Sequence, residues 1–71
     1  MNESGYPVIF EKSANGYGAY VPDLPGCIAT GRTLAIIRRR ITEAISIHLR
    51  SMRKDGDPIP APSHVEILEV A

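Results

Sequence analysis

The chain has 71 residues, a formal net charge of zero and a single cysteine. This length allows one small domain with a modest core, and one cysteine excludes an intramolecular disulfide. No Cys/His spacing resembles a zinc site, no apolar run is long enough to span a membrane, and the N-terminus lacks a secretory signal. We therefore expect one domain over residues 1–71, with residues 1–5 frayed, no metal or cofactor, and a cytoplasmic location by default.

The first half of the sequence predicts a β-hairpin. Tyr6 to Glu11 is rich in β-branched and aromatic residues that suit a strand, and residues 17–21 have a similar character. Between them, Asn15-Gly16 favours a type I′ turn, in which both central residues adopt positive φ. In the second strand, Ala19 and Val21 should share one face of the sheet.

A proline-rich loop, Tyr20 to Cys27, connects the hairpin to the rest of the chain. Pro25-Gly26 suits the centre of a type II turn, because proline fixes the first φ and glycine supplies a positive second φ. Such a rigid connector is either a plain structural turn or a recognition surface. We take its residues Pro22, Asp23, Leu24 and Pro25 as candidates for binding a partner. Residues 27–30 then read as a short third strand.

From Leu34 to about Lys54 the apolar residues recur at helical spacing. Thr33 suits the N-cap, and Gly56 suits a left-handed C-cap. The apolar stripe that should pack on the sheet comprises Leu34, Ile37, Ile41, Ala44, Ile45, His48, Leu49 and Met52.

Three prolines make residues 57–62 an extended connector that is neither helix nor central strand. The apolar residues in the stretch 64–70 then indicate a last strand, with apolar side chains on both of its faces. The order is β-β-β-α-β, so we predict an α+β fold with one helix packed on a small antiparallel or mixed sheet.

Two isoleucines, Ile36 and Ile47, fall outside the helix stripe, on the same side as Arg40. They are either isolated surface residues or contacts with another chain, and we include all three among the partner-binding candidates. All basic residues except Lys12 lie between residues 32 and 54. This segregation favours a polyanion or an acidic partner, whereas its alternative is a solvated helix face.

No catalytic set of nucleophile, base and acid is visible. Cys27 has no neighbouring histidine to activate it, and His48 lies on the apolar stripe. Glu11 and Glu43 could contribute to a metal nuclease only if they converged, and Glu43 falls on the outer side of the helix. We therefore predict that the chain is not an enzyme.

Several motifs resemble the HicB family of type II antitoxins, from about residue 6 to the C-terminus. They are Tyr6-Pro7-Val8-Ile9, the run from Gly18 to Cys27, Ala29-Thr30-Gly31, Thr33-Leu34, Glu43-Ala44-Ile45 and Asp57-Pro58-Ile59-Pro60. The resemblance implies a partial ribonuclease-H-like fold without catalytic carboxylates, and binding to a small RNA-cleaving toxin, HicA. Family members continue into a DNA-binding module, which we do not expect here. The helix also begins with basic residues where the family has acidic ones.

The sequence thus leads to three hypotheses. The first is an antitoxin-type protein that neutralises a HicA-type toxin by direct contact. The second is a small RNA-binding module that uses the basic helix, and the third is a domain that only self-associates. Phosphate contacts weaken steeply with salt, which separates the second hypothesis from the others.

The small core and the two-sided last strand also predict a homo-oligomer, either a dimer or a tetramer built from dimers. We expect Leu68 and Val70 in that contact. The stiff connector could carry the last strand onto a neighbouring subunit as easily as back onto its own.

Overall fold

The computed structural model describes residues 5–70. We expect fraying of residues 1–5, and residues 1–4 of that stretch lie outside the described part. Three strands, β1 (Ile9–Ser13), β2 (Gly16–Tyr20) and β3 (Ile28–Gly31), precede one helix, α1 (Leu34–Asp55). The strands form an antiparallel sheet in the order β1-β2-β3, with the helix on one face. The predicted α+β class is confirmed.

The hairpin is present, but its turn differs from the predicted one. Ser13 pairs with Gly16, so the two central residues are Ala14 and Asn15 rather than Asn15 and Gly16. Among the described residues only glycines have positive φ, which makes the predicted type I′ turn wrong. Gly16 has a different role: a β-carbon there would lie 2.5 Å from the carbonyl oxygen of Gly31. The close approach of β3 therefore requires glycine at this position.

The predicted turn at Pro25-Gly26 is confirmed. Gly26 has a φ of 87°, and the amide of Cys27 donates to the carbonyl of Leu24 at 3.0 Å. These are the features of a type II turn with glycine in its second central position.

Both helix caps agree with the prediction. The Thr33 side chain accepts a hydrogen bond from the amide of Ile36 at 3.1 Å. At the other end Gly56 is left-handed, with a φ of 75°. Its amide donates to the carbonyl of Arg53 at 3.2 Å, and the next amide, of Asp57, donates to Met52 at 2.9 Å. This pair of bonds closes the helix as a Schellman motif.

The core forms where α1 lies across β2 and β3. Its buried side chains are Ala19, Val21, Leu24, Cys27, Ile37 and Ile41. Ile37 and Ile41 of the predicted apolar stripe are buried against the sheet. Leu34, at the start of the stripe, is exposed, and His48 is only half-buried. Within residues 5–70 the helix packs against β2 and β3 but not against β1. The first strand is therefore an edge with no cover on its helix side.

The predicted last strand is absent from the sheet. Residues 57–70 have no regular secondary structure, and Val65, Ile67, Leu68 and Val70 are exposed. A strand needs a neighbouring edge to supply its hydrogen bonds, and within the described chain this segment has none. The segment remains a strand-like sequence without a partner.

The one helix in residues 5–70 is not apolar enough to cross a membrane.

Candidate functional site

The proline-rich loop is held by a compact set of backbone hydrogen bonds. The amide of Val21 donates to the carbonyl of Cys27 at 3.1 Å and so closes the loop at its base. Within it, the amide of Leu24 donates to the carbonyl of Val21 at 3.0 Å. With two turns in seven residues, the loop presents its prolines in one fixed conformation.

The four predicted contact residues of this loop separate into different roles. Pro22 and Pro25 are exposed and available to a partner. Leu24 is fully buried, at 0% exposure, and packs in the core. Its assignment as a contact residue is therefore wrong, because the two turns direct its side chain inward as an anchor for the loop.

Asp23 binds Ser63, the residue that directly follows the connector. Its two carboxylate oxygens accept hydrogen bonds from the Ser63 hydroxyl at 2.5 Å and from the Ser63 amide at 2.8 Å. Both bonds stabilise the ionised carboxylate and lower the pKa of Asp23 below its ordinary value of 3.8. The bond from the Ser63 hydroxyl has the larger effect. Asp23 thus ties the loop to the connector, which reduces its availability to a partner.

A recess of about 390 Å³, which we call the loop–helix cleft, lies between the loop and the second half of the helix. Ile28 and Ile47 line it and are 68% and 60% exposed. Its full lining is Gly26, Cys27, Ile28, Ala44, Ile47, His48 and Ser51. Two large apolar side chains at one recess are typical of a protein contact rather than of a solvated surface.

A second apolar feature adjoins the cleft at Ile28. On the sheet face opposite the helix, Ile9 pairs with Tyr20, and Tyr20 pairs with Ile28. All three side chains are exposed. We call this line of side chains the open-face row, and Ile28 makes it continuous with the cleft.

Sequence reasoning missed the open-face row. The signal was present in the alternation of β2, which places Tyr20 opposite the buried face of Ala19. The strand register that aligns Ile9 and Ile28 with Tyr20 depends on the two-residue turn and on the loop length, and the turn was predicted one residue too late.

The other helix candidates lie elsewhere. Ile36 and Arg40 line a separate recess of about 400 Å³ beside the hairpin turn, which we call the arginine recess. Arg40 donates to the carbonyl of Thr30 at 2.9 Å, and Ile36 is half-buried against Gly31. The expectation that Ile36 and Ile47 share one exposed face is therefore wrong, because β3 covers part of the first and leaves the second open.

The described residues offer little to catalysis. Burial raises the pKa of the Cys27 thiol, which keeps it protonated and unreactive. Glu11 lies on the sheet face away from the helix, whereas Glu43 is exposed on the helix itself. The two carboxylates cannot share a metal ion from opposite sides of the molecule. Within residues 5–70, no three histidine, cysteine or acidic side chains are grouped to hold one.

The chain is similar to a known protein family and to several individual proteins. Residues 6–71 match the family described as HicB_like antitoxin of bacterial toxin-antitoxin system. An uncharacterised 14.9 kDa protein of Haemophilus phage HP1 is 39% identical over 61 residues, which cover 86% of this chain. This chain spans only 46% of that relative. The UPF0150 protein Ta0767 of Thermoplasma acidophilum is 38% identical over 63 residues, covering 87% of this chain and 91% of the relative.

Two solved structures share the fold. One is a chain of the HicA3 and HicB3 toxin-antitoxin complex, with a TM-score of 0.73 and 33% identity. The match covers 84% of this chain and 70% of that one. The other is the antitoxin HicB3, with a TM-score of 0.68, 35% identity, and coverage of 80% and 42% respectively.

Proposed function

Because the chain belongs to the HicB-like antitoxins of bacterial toxin–antitoxin systems, we propose that it neutralises a small, RNA-cleaving HicA-type toxin by direct contact. The chain acts as a binding protein with no enzymatic activity of its own, and we place the interaction in the cytoplasm. The similar structure of a toxin–antitoxin complex supports this partner.

The observation that carries the proposal is the continuous apolar surface formed by the loop–helix cleft and the open-face row. Ile28 and Ile47 are large and exposed, and both line one recess. A few apolar anchors near the centre of an interface commonly provide most of its binding energy. These two isoleucines are the anchors we assign, with Pro25 at the edge.

The loop supports this interface by being rigid before the toxin arrives. Its three backbone hydrogen bonds and the buried Leu24 fix the positions of Pro22, Pro25 and Ile28. Association then orders few additional groups, so little conformational entropy opposes binding.

Calorimetry with a purified HicA-type toxin, taken from the reading frame beside that of this chain, tests the proposal. Ile47→Asp should weaken binding by about tenfold or more, because it places a carboxylate in an apolar contact. Ser46→Asp is the matched control, since this exposed neighbour lines neither the loop–helix cleft nor the arginine recess.

Ile28→Asp provides an independent test on the sheet side, with exposed Thr30→Asp as control on the same strand and face. We expect the Ile28 variant to weaken toxin binding far more than the Thr30 variant. Equal binding by all four variants would contradict the assigned surface, and no binding by the unmodified chain would contradict the function.

One observation favours RNA binding as a second candidate. The arginine recess contains Arg32 and Arg40 together with the half-buried ring of Tyr17. A cation beside an aromatic ring suits a single-stranded nucleic acid. Arg40 is already bound to Thr30, however, and Arg38 lines a different recess, so the arginines do not form one surface. Sub-micromolar RNA binding that weakens steeply with salt would reverse the ranking.

A further inference from the structure

The arginine recess is not used by the proposed toxin contact. It lies where the hairpin turn, the end of β3 and the first turns of α1 meet, whereas the loop–helix cleft lies at the start of β3 and along the second half of the helix. Gly16 allows this meeting, since a β-carbon there would lie 2.5 Å from the carbonyl oxygen of Gly31. The recess shares no lining residue with the cleft, so a ligand bound there is a separate partner.

Two guanidinium groups line the recess from different elements. Arg32 follows β3 directly, and Arg40 lies in the first half of α1. Arg40 donates to the carbonyl of Thr30 at 2.9 Å, and this bond holds its guanidinium beside the strand. A guanidinium has several N–H donors beyond the one used here, and Arg32 is exposed. Two such groups at one recess suit the oxygens of a phosphate, which planar guanidinium groups bind with paired hydrogen bonds.

The positive charge at the recess has no acidic counterpart. Among residues 5–70, no carboxylate lines it, and the first turn of the helix is free of acidic residues. Within the same part of the chain, neither Arg32 nor Arg40 forms an ion pair. Lys12 pairs with Tyr17 across the hairpin and so projects from the same face of the sheet, which adds a third cation beside the recess. An anion is therefore the ligand that this charge favours.

The other arginines at the start of the helix lie outside the recess. Arg38 lines an apolar groove beside β1, which we call the β1 groove. The remaining lining residues of that groove include Tyr6, Val8, Phe10, Ile41, Ile45 and Leu49. Arg39 is exposed and lines neither the groove nor the arginine recess. The basic run thus gives one compact site at Arg40 and not a continuous surface, which favours a small anion over a strand that needs several phosphate contacts.

Tyr17 adds an aromatic wall to the recess. Its side chain is half-buried and lines the recess together with both arginines. Ser13 and Asn15, at the hairpin turn, add exposed polar groups to the lining. Nucleobases stack on such rings, and polar groups around them can hydrogen-bond a sugar. The volume of about 400 Å³ is near the lower end for small-ligand sites, so it suits one nucleotide rather than an extended strand.

From these features we propose that the arginine recess binds a nucleoside monophosphate, with its phosphate between Arg32 and Arg40 and its base against Tyr17. A phosphate monoester has a charge of about −2 near neutral pH and several acceptor oxygens, which match the two guanidinium groups. A carboxylate or an internal phosphodiester carries a single negative charge and matches them less well. The same monoester occurs in a free nucleotide and at the phosphorylated end of an RNA strand, and both are ligands of this site.

Calorimetric titration of the full chain with adenosine monophosphate tests the proposal, with adenosine and inorganic phosphate as ligand controls. We expect adenosine monophosphate to bind more tightly than inorganic phosphate, and adenosine not to bind. Arg32→Gln should raise the dissociation constant for adenosine monophosphate by about tenfold or more, because a charged hydrogen-bond donor is lost from the site. Arg39→Gln removes an equal charge from an exposed helix position outside the recess and should leave this constant unchanged.

Two short RNAs that differ only in a terminal phosphate monoester distinguish the sources of the ligand. Both strands have the same internal phosphates, so a preference of about tenfold for the phosphorylated strand identifies the monoester as the group that is recognised. Tighter binding of this strand than of adenosine monophosphate would assign the site to RNA ends, and equal binding would assign it to free nucleotides.

Several results would overturn the proposal. They are no binding of adenosine monophosphate at millimolar concentration, equal affinity for it and for adenosine, and equal losses in the Arg32→Gln and Arg39→Gln variants. Equal affinity for the phosphorylated and unphosphorylated RNAs would also overturn it, since the strand then binds through its internal phosphates. Toxin binding by the Arg32→Gln variant should match that of the unmodified chain, so this inference and the proposed function can fail separately.

Discussion

At the scale of single residues, Gly26 shows how backbone geometry sets the loop. Its φ of 87° is disfavoured for a β-branched residue, although no atom would contact an added β-carbon. Gly26→Val should therefore destabilise the fold by more than about 1 kcal/mol through backbone strain alone. Urea unfolding measures this change.

Gly18→Val is the matched control for that prediction. Gly18 also has open space around an added β-carbon, but its φ is not positive, and it lies in a strand. Valine is favourable in strands, so we expect no comparable loss. Equal destabilisation by the two variants would show that backbone conformation at Gly26 is not the cause.

Asp23 makes the loop–connector contact dependent on pH. Its folded-state pKa lies below 3.8, because Ser63 donates two hydrogen bonds to the carboxylate. A lowered folded pKa stabilises the contact above the unfolded value, and this contribution is lost as pH falls through the folded pKa. We expect the Ser63 amide resonance to be constant near neutral pH and to shift only below about pH 4.

The Asp23→Asn variant should lack this acid transition at Ser63, because no group then titrates at that position. A carboxyl titration of Asp23 with its midpoint at or above 3.8 would show that the Ser63 contact is not formed in solution.

At the scale of elements, the helix depends on its N-cap. The Thr33 hydroxyl satisfies the amide of Ile36, one of the donors that the first turn leaves unpaired. Thr33→Ala should cost about 1 kcal/mol in the free energy of unfolding. Thermal or urea unfolding provides the measurement.

Thr42→Ala removes a threonine from the same helix without removing a cap. The Thr42 hydroxyl donates to the carbonyl of Arg38 at 2.7 Å, a bond to a carbonyl that the helix already uses. Alanine is the better helix former, so this variant should be neutral within about 0.5 kcal/mol. A loss at Thr42 as large as that at Thr33 would contradict the capping role.

The elements that sequence reasoning predicted well are those with local causes. Thr33, Gly56 and Gly26 act through their own backbone conformation or a neighbour a few residues away, so the sequence around each was sufficient. The hairpin turn was predicted one residue too late, because Gly16 is needed for the close approach of Gly31 and not for the turn. That contact spans fifteen positions, and no local sequence pattern contains it.

The prediction of a last strand was wrong for the same reason, since it depends on contacts between residues still further apart in the sequence. The alternation in residues 64–70 is compatible with a strand, but strand formation depends on an available edge. The hydrogen bonds of Tyr6 to Pro60 and of Ser63 to Asp23 fix the path of the chain before this segment, and both join residues more than 35 positions apart. The exposure of the candidate residues followed the same rule. Ile47 is exposed as predicted, whereas the burial of Leu24 and the hydrogen bond from Arg40 to Thr30 depend on the fold.

At the scale of the whole molecule, the structure has two apolar surfaces on different sides of the helix. The loop–helix cleft joins the open-face row, and the β1 groove lies along the opposite edge of the sheet. We assign the first surface to a toxin. It includes Ile9, so it reaches the strand that borders the groove.

The central claim is that a HicA-type toxin binds the loop–helix cleft, and an NMR footprint of the isotope-labelled chain tests it most directly. On adding the unlabelled toxin, we expect the largest amide shifts at residues 26–28 and 47–51, with smaller changes at Tyr20. Ile9 should shift together with Tyr20, whereas residues 10–13 of β1 should change little. Shifts centred on the arginine recess or on the β1 groove, or no shifts at saturating toxin, would contradict the account.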